Sequence, residues 1–147
     1  MAQQFAGVRA QVLGRARNAD KLRSEVIEMR NKMRAQLDKS DAQYFDLKHG
    51  VGGIVDLEFI VQFSVLAGAH AHPNLLIWTD NIRILEQMAV SGLLTTAQAE
   101  ALMEAYRQLR ARGHRRTLLG EPTLIAAEEL LPERQTVIDA WHNILGA

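Results

Sequence analysis

Between Ile54 and Ala69 the chain is apolar almost without interruption, broken only by Asp56, Glu58, Gln62 and Ser64. A helix that is apolar on nearly all sides has no face to offer water, so it must lie at the centre of other helices. The rest of the sequence supplies them. Three prolines in 147 residues, abundant Ala, Leu, Arg, Glu and Gln, and little strand-like alternation favour helix nearly everywhere. The expected fold is therefore all-α: a single helical domain over residues 1–147, with about six helices around a buried central one. A chain of this length buries a core without staples, and no cysteine is present to make any.

The flanking elements follow from local signals. A first helix is expected from about Ala2 to Ala16, and a second from a cap at Asn18 or Asp20 to Leu37. Leu22, Val26, Met29, Met33 and Leu37 would line its inner face. Asp38 to Gln43 reads as a loop, and Phe45 to Lys48 as one short extended stretch before Gly50, Gly52 and Gly53. After the central helix, a loop from His70 to Trp78 leads to a helix from Asp80 to Ser91, capped by Thr79 and stopped by Gly92. Thr95 and Gln98 form a capping-box pattern for a helix reaching Arg112 or beyond, with Gly113 and Gly120 weakening its end. Pro122 opens a short helical piece to Leu130, and Pro132 is expected at the first position of a last helix through Leu145.

The charge pattern restricts function less than fold. Seventeen basic and seventeen acidic side chains cancel, although residues 1–50 hold 10 Lys and Arg against 6 Asp and Glu. That basic end can face phosphates or an acidic partner, or be ordinary solvated helix surface. Arg107, Arg110, Arg112, Arg115 and Arg116 scatter around a helix axis with no interleaved aromatics, so no nucleic-acid partner is expected. His70 and His72 lack a third ligand in view, and no metal site is expected. Nor is a membrane span or signal peptide, which leaves a cytoplasmic address as the simplest expectation.

The chemistry concentrates between Lys48 and Gln62. A Lys, a glycine-rich turn and a helix N-terminus are the parts of a phosphate-binding corner: backbone N–H groups point at the anion and the Lys adds a mobile charge. The alternative is that Gly50, Gly52 and Gly53 only permit a sharp corner, with Asp56 favoured by the helix dipole. Asp56 and Glu58 point about 160° apart on a helix, so they cannot jointly hold one metal ion. Glu58 shares a face with Gln62 and, if buried, needs a partner such as Arg83 or Arg30.

The string Lys48-His49-Gly50-Val51-Gly52-Gly53-Ile54-Val55-Asp56-Leu57-Glu58-Phe59 closely resembles a signature of bacterial glutamine synthetase adenylyltransferases. Glu25 to Arg34 and Trp78 to Glu86 extend the resemblance, which is specific from about Arg15 to Glu86 and weaker beyond. Members of that family have two homologous halves, one adding AMP from ATP to a tyrosine of glutamine synthetase and one removing it by phosphorolysis. Each half joins a nucleotidyltransferase fold to a helical domain. Val55-Asp56, where the removing half commonly has Arg-Glu, places this chain in the transferase half, and any phosphate contact made by that Arg is lacking here.

The resemblance implies Mg2+ and ATP as requirements of the parent enzyme, with glutamine synthetase as protein substrate and the PII signal protein and glutamine as regulators. It also implies that the metal-binding Gly-Ser-x-x-Asp-x-Asp segment lies elsewhere, because these 147 residues do not contain it. No catalytic residue is then expected within this chain, and the chain alone should not transfer adenylyl groups. Lys48, Gly50, Gly52 and Gly53 are expected near the nucleotide phosphates, with Asp56, Glu58, Gln62, Asp80 and Arg83 bracing that loop. The competing expectation is a helical bundle that docks PII or glutamine synthetase and never touches nucleotide.

Overall fold

A computed structural model of the chain describes residues 19–146. The helix expected at Ala2 to Ala16 and a cap at Asn18 lie outside them. The fold is all-α with one small ribbon. Helix α1 spans Ala19–Leu37, strand β1 Tyr44–Asp46, α2 Ile54–Gly68, α3 Asn81–Val90, α4 Thr96–Leu118, β2 Leu124–Ala126 and α5 Leu131–Leu145, and a 3-10 turn at Pro73–Leu76 joins α2 to α3.

Helix α2 is the centre, touching α1, α3, α4, α5 and the 3-10 turn. Its residues Leu57, Ile60, Val61, Phe63 and Val65 join Leu85, Met88, Leu102, Leu109, Val137 and Leu145 in one core. Each such Leu, Ile, Val, Phe or Met stabilises the fold by about 1.5–3 kcal/mol relative to an exposed position. Gln62 is the outlet of this helix, an exposed residue on an otherwise apolar rod.

Helix α1 shows the main departure in patterning. Leu22, Val26 and Ile27 pack on the core, but Met29 is 58% exposed and Leu37 44% exposed, and the fully buried residue is Arg30. The stripe is rotated away from Met29 because a buried ion pair, described below, sets the contact of α1 with α2. The Arg23 guanidinium adds a cation–π contact 5.5 Å from the Phe63 ring centre.

The segment after Pro122 is a strand and not a helical piece. Leu124–Ala126 pairs antiparallel with Tyr44–Asp46 in the register Tyr44 to Ala126, Phe45 to Ile125 and Asp46 to Leu124. Glu129 then anchors the ribbon to α4: its carboxylate accepts from Arg112 at 2.9 Å and from the Ala126 N–H at 3.0 Å. Those two contacts, Arg112 first, hold the Glu129 carboxyl below its ordinary pKa.

Helix ends differ by single residues. Asp80, not Thr79, caps α3, its side chain accepting from the Ile82 N–H at 2.8 Å. The capping box of α4 forms as expected, with Thr95 and Gln98 exchanging bonds of 2.9 and 3.0 Å. Helix α4 continues through Gly113 to Leu118. Gly113 is buried in α4, and a Cβ added there would meet Ile54 and Leu47 at 3.8 and 4.0 Å, ordinary van der Waals contact. Pro132 takes the second position of α5, after Leu131.

Candidate functional site

The corner between β1 and α2 is built around two buried carboxylates. Asp46 organises the approach: one oxygen accepts from the Lys48 and His49 N–H groups at 3.0 and 3.1 Å, and the other from the Lys39 N–H at 3.1 Å. The chain then folds back tightly. Gly50 N–H donates to the Asp46 carbonyl, Gly53 N–H to the Gly50 carbonyl, Ile54 N–H to the Leu47 carbonyl and Val55 N–H to the Lys48 carbonyl, all at 2.9–3.0 Å. A Cβ on Gly53 would stand 2.7 Å from the Leu47 carbonyl oxygen, so only glycine permits this turn.

Those bonds correct one expectation about mechanism. The N–H groups of Gly50, Gly52, Gly53 and Ile54 all donate to acceptors within the chain, so they do not form an open cradle for an anion. Gly52 gives its N–H to the second buried carboxylate, Asp56, at 2.9 Å. What the corner does present to solvent is the Lys48 side chain.

Asp56 ties this corner to α1. Arg30 Nε donates to Asp56 Oδ1 at 2.6 Å, Arg34 Nη2 donates to the same oxygen, and Arg30 Nη2 donates to the His49 carbonyl at 2.9 Å. Arg30 also lies over the Phe59 ring, 5.9 Å from its centre. Of the two candidate partners for Glu58, Arg83 and Arg30, Arg30 serves Asp56 instead, because Asp56 is the carboxylate on the α1 face of α2. Arg30, Arg34 and Asp46 complete the brace, and sequence reasoning did not assign them to it.

Glu58 faces the other way, into an open groove of about 480 Å3 between α2 and α4 that Lys48, Arg110 and His114 also line. Burial raises the Glu58 pKa, and the charges of Arg110 and His49 oppose that rise. A carboxyl whose folded-state pKa lies above its unfolded value favours the folded state below the unfolded pKa and loses that contribution as pH rises through the folded one. Glu58→Gln is therefore expected to raise the melting temperature at neutral pH, with the gain disappearing below pH of about 4. Thermal unfolding of both proteins across that range tests the sign.

Other expected bracing residues stand apart. Among the described residues, Gln62, Asp80 and Arg83 have no hydrogen bond or ion pair to the 48–53 loop. Asp80 caps α3, and Arg83 pairs with Glu86 at 3.4 Å and lies 5.5 Å from the Trp78 ring centre. Arg110, on the exposed side of α4 over the Tyr106 ring, joins the groove because α4 crosses α2 there; five arginines between 107 and 116 gave no local sign of which one would. Among the described residues no group of three His, Cys, Asp or Glu could hold a metal ion, and no helix is long and apolar enough to cross a membrane.

A helical bundle whose central helix begins at this braced Lys-Gly corner defines a class. The chain belongs to the family described as GlnD PII-uridylyltransferase, which matches residues 20–121. Within it, the chain is homologous to glutamine synthetase adenylyltransferases. It is 48% identical over 141 residues to the bifunctional glutamine synthetase adenylyltransferase/adenylyl-removing enzyme of Nitrosococcus oceani, covering 96% of this chain and 15% of that protein. The enzymes of the same name from Hahella chejuensis and Pseudomonas putida are 44% and 45% identical, over 96% and 95% of this chain and 15% and 16% of theirs. The chain thus spans about one-sixth of the length of these relatives.

Proposed function

We infer that this chain serves as one helical domain of the adenylyl-transferring half of a glutamine synthetase adenylyltransferase, and that its Lys48 groove faces the phosphates of ATP held by a catalytic domain elsewhere in the longer protein. The observation that carries the reading is the convergence of Lys48, Arg110 and His114 on one open groove beside the family's signature corner. The positive charges of Lys48 and Arg110, placed in advance, stabilise charge that develops on a phosphoryl group without reorganising during the step.

Mg2+ does not fit the described residues, which offer no cluster of ligands, so no step through the metal is assigned to them. Its contribution is binding and electrostatic. The rigid brace of Asp56, Arg30 and Arg34 fixes the corner from behind, so that Lys48 starts from a defined position. Glutamine synthetase as protein substrate, PII and glutamine as regulators, and a cytoplasmic setting accompany this reading, taken from the names of the relatives and the family resemblance.

In the longer enzyme, Lys48→Ala is expected to lower the rate of AMP transfer to glutamine synthetase by at least about tenfold, as loss of a transition-state contact does. Its melting temperature should stay unchanged, because the Lys48 side chain is exposed and makes no ion pair among the described residues. Wild-type turnover in this variant removes Lys48 from the site and leaves the bundle as a docking module that binds PII or glutamine synthetase without nucleotide.

A further inference from the structure

We propose a second anion site on the opposite side of the corner, in a cavity of about 220 Å3 between α1, the turn at Val51 and α5, which takes a compact oxyanion such as a carboxylate or inorganic phosphate. It does not depend on the role given to Lys48. Arg34, Asp56, Asn31, Trp141 and His142 line it, together with apolar side chains such as Ile138.

The first argument is charge. Arg30 and Arg34 both donate to a single oxygen of Asp56, and the other oxygen is taken by the Gly52 N–H. Two guanidinium groups thus face one carboxylate, and the start of α2 adds its own positive end. Among the described residues Asp56 is the only acidic one lining the cavity, so the excess positive charge has no second counterpart among them. Charge in a low-dielectric site calls for a partner of opposite sign.

The second argument is donors. Arg34, which lines the cavity, has its Nε buried with no hydrogen-bond partner among the described residues. The side chains of Asn31, Trp141 and His142 also make no hydrogen bond among the described residues, although each reaches the cavity wall. A guanidinium edge beside an amide, an indole and an imidazole is the donor set that a planar carboxylate or a phosphate satisfies. The volume falls below the roughly 300–1,000 Å3 of pockets that hold drug-sized ligands, which suits a compact oxyanion.

The oxyanion can be a free small molecule or an acidic side chain from another part of the longer protein. The test is a titration of the 15N-labelled chain with sodium phosphate and with sodium acetate, against sodium chloride at equal ionic strength. The Arg34 Nε–H and Trp141 indole N–H resonances are followed, and Trp78→Phe assigns the indole. Saturable shifts with phosphate or acetate, but not with chloride, are expected. Asn31→Ala combined with His142→Ala should weaken that binding by at least about tenfold while leaving the ligand-free melting temperature unchanged, since neither residue belongs to the brace. Shifts that never saturate, that chloride reproduces, or that the double variant retains at wild-type affinity overturn the proposal. In the longer enzyme, undiminished phosphate binding identifies a free ligand. Resonances already at the bound position and insensitive to phosphate identify an acidic side chain, and resonances at the free position that phosphate does not move overturn the site.

Discussion

Asp56→Ala is expected to cost the protein about 3–5 kcal/mol, the size of effect seen when one member of a buried ion pair is removed. Asp56 is 3% exposed and Arg30 is fully buried, so the guanidinium cannot turn to water when its carboxylate goes. The loss has three parts that act together. Arg30 keeps its charge without a counter-ion, Arg34 loses its acceptor, and the Gly52 N–H loses the bond that closes the corner. Such a change takes a large share of a typical domain's stability of about 5–15 kcal/mol. Urea unfolding gives the number directly. Arg30→Met combined with Asp56→Leu should recover most of the loss, because an apolar pair removes the desolvation cost that the lone Arg30 would bear. A loss below about 1 kcal/mol for Asp56→Ala would mean that Arg30 is hydrated or has another partner, and that α1 is not fixed to α2 through this pair.

The same pair explains where sequence reading succeeded and where it failed. The central helix was legible because sixteen positions from Ile54 to Ala69 carry only four polar side chains, and no other arrangement hides such a surface. The capping box at Thr95 was legible because its two partners are three residues apart. The inner face of α1 was misjudged because hydrophobic periodicity counts Met29 as core and Arg30 as surface, whereas the buried acceptor that reverses this lies 26 residues away. The β1–β2 ribbon was half legible for a related reason. Phe45 to Lys48 alternates apolar and charged residues, but Leu124–Ala126 becomes a strand only through pairing with Tyr44–Asp46, some 80 residues earlier in the chain. The Lys48 groove stands between these cases: the corner was visible in its glycines, but Arg110 and His114 reach it only through the crossing of α4 over α2.

Gly52→Ala should be nearly as damaging as loss of Asp56, for a cause that can be separated from backbone preference alone. Gly52 has φ of +84°, which an alanine adopts at a cost of about 1–2 kcal/mol. Its added Cβ would also stand 2.6 Å from the Arg134 carbonyl oxygen and 3.1 Å from Ile138 Cγ1, so α5 would have to move. Arg134 cannot shift freely, because its guanidinium stacks 3.7 Å from the Phe45 ring centre and donates to the Ala127 carbonyl at 2.6 Å. Displacement of a packed helix adds about 1–3 kcal/mol, so a total near 3 kcal/mol is expected. Gly92→Ala supplies the comparison. Gly92 has φ of +78° but nothing within 4 Å of the added Cβ, so it should show the conformational cost alone. The difference between the two losses in urea unfolding measures how firmly α5 closes on the corner. Equal losses would show that this contact is loose, and the cavity that Trp141 and His142 share with Arg34 would then lack a fixed wall.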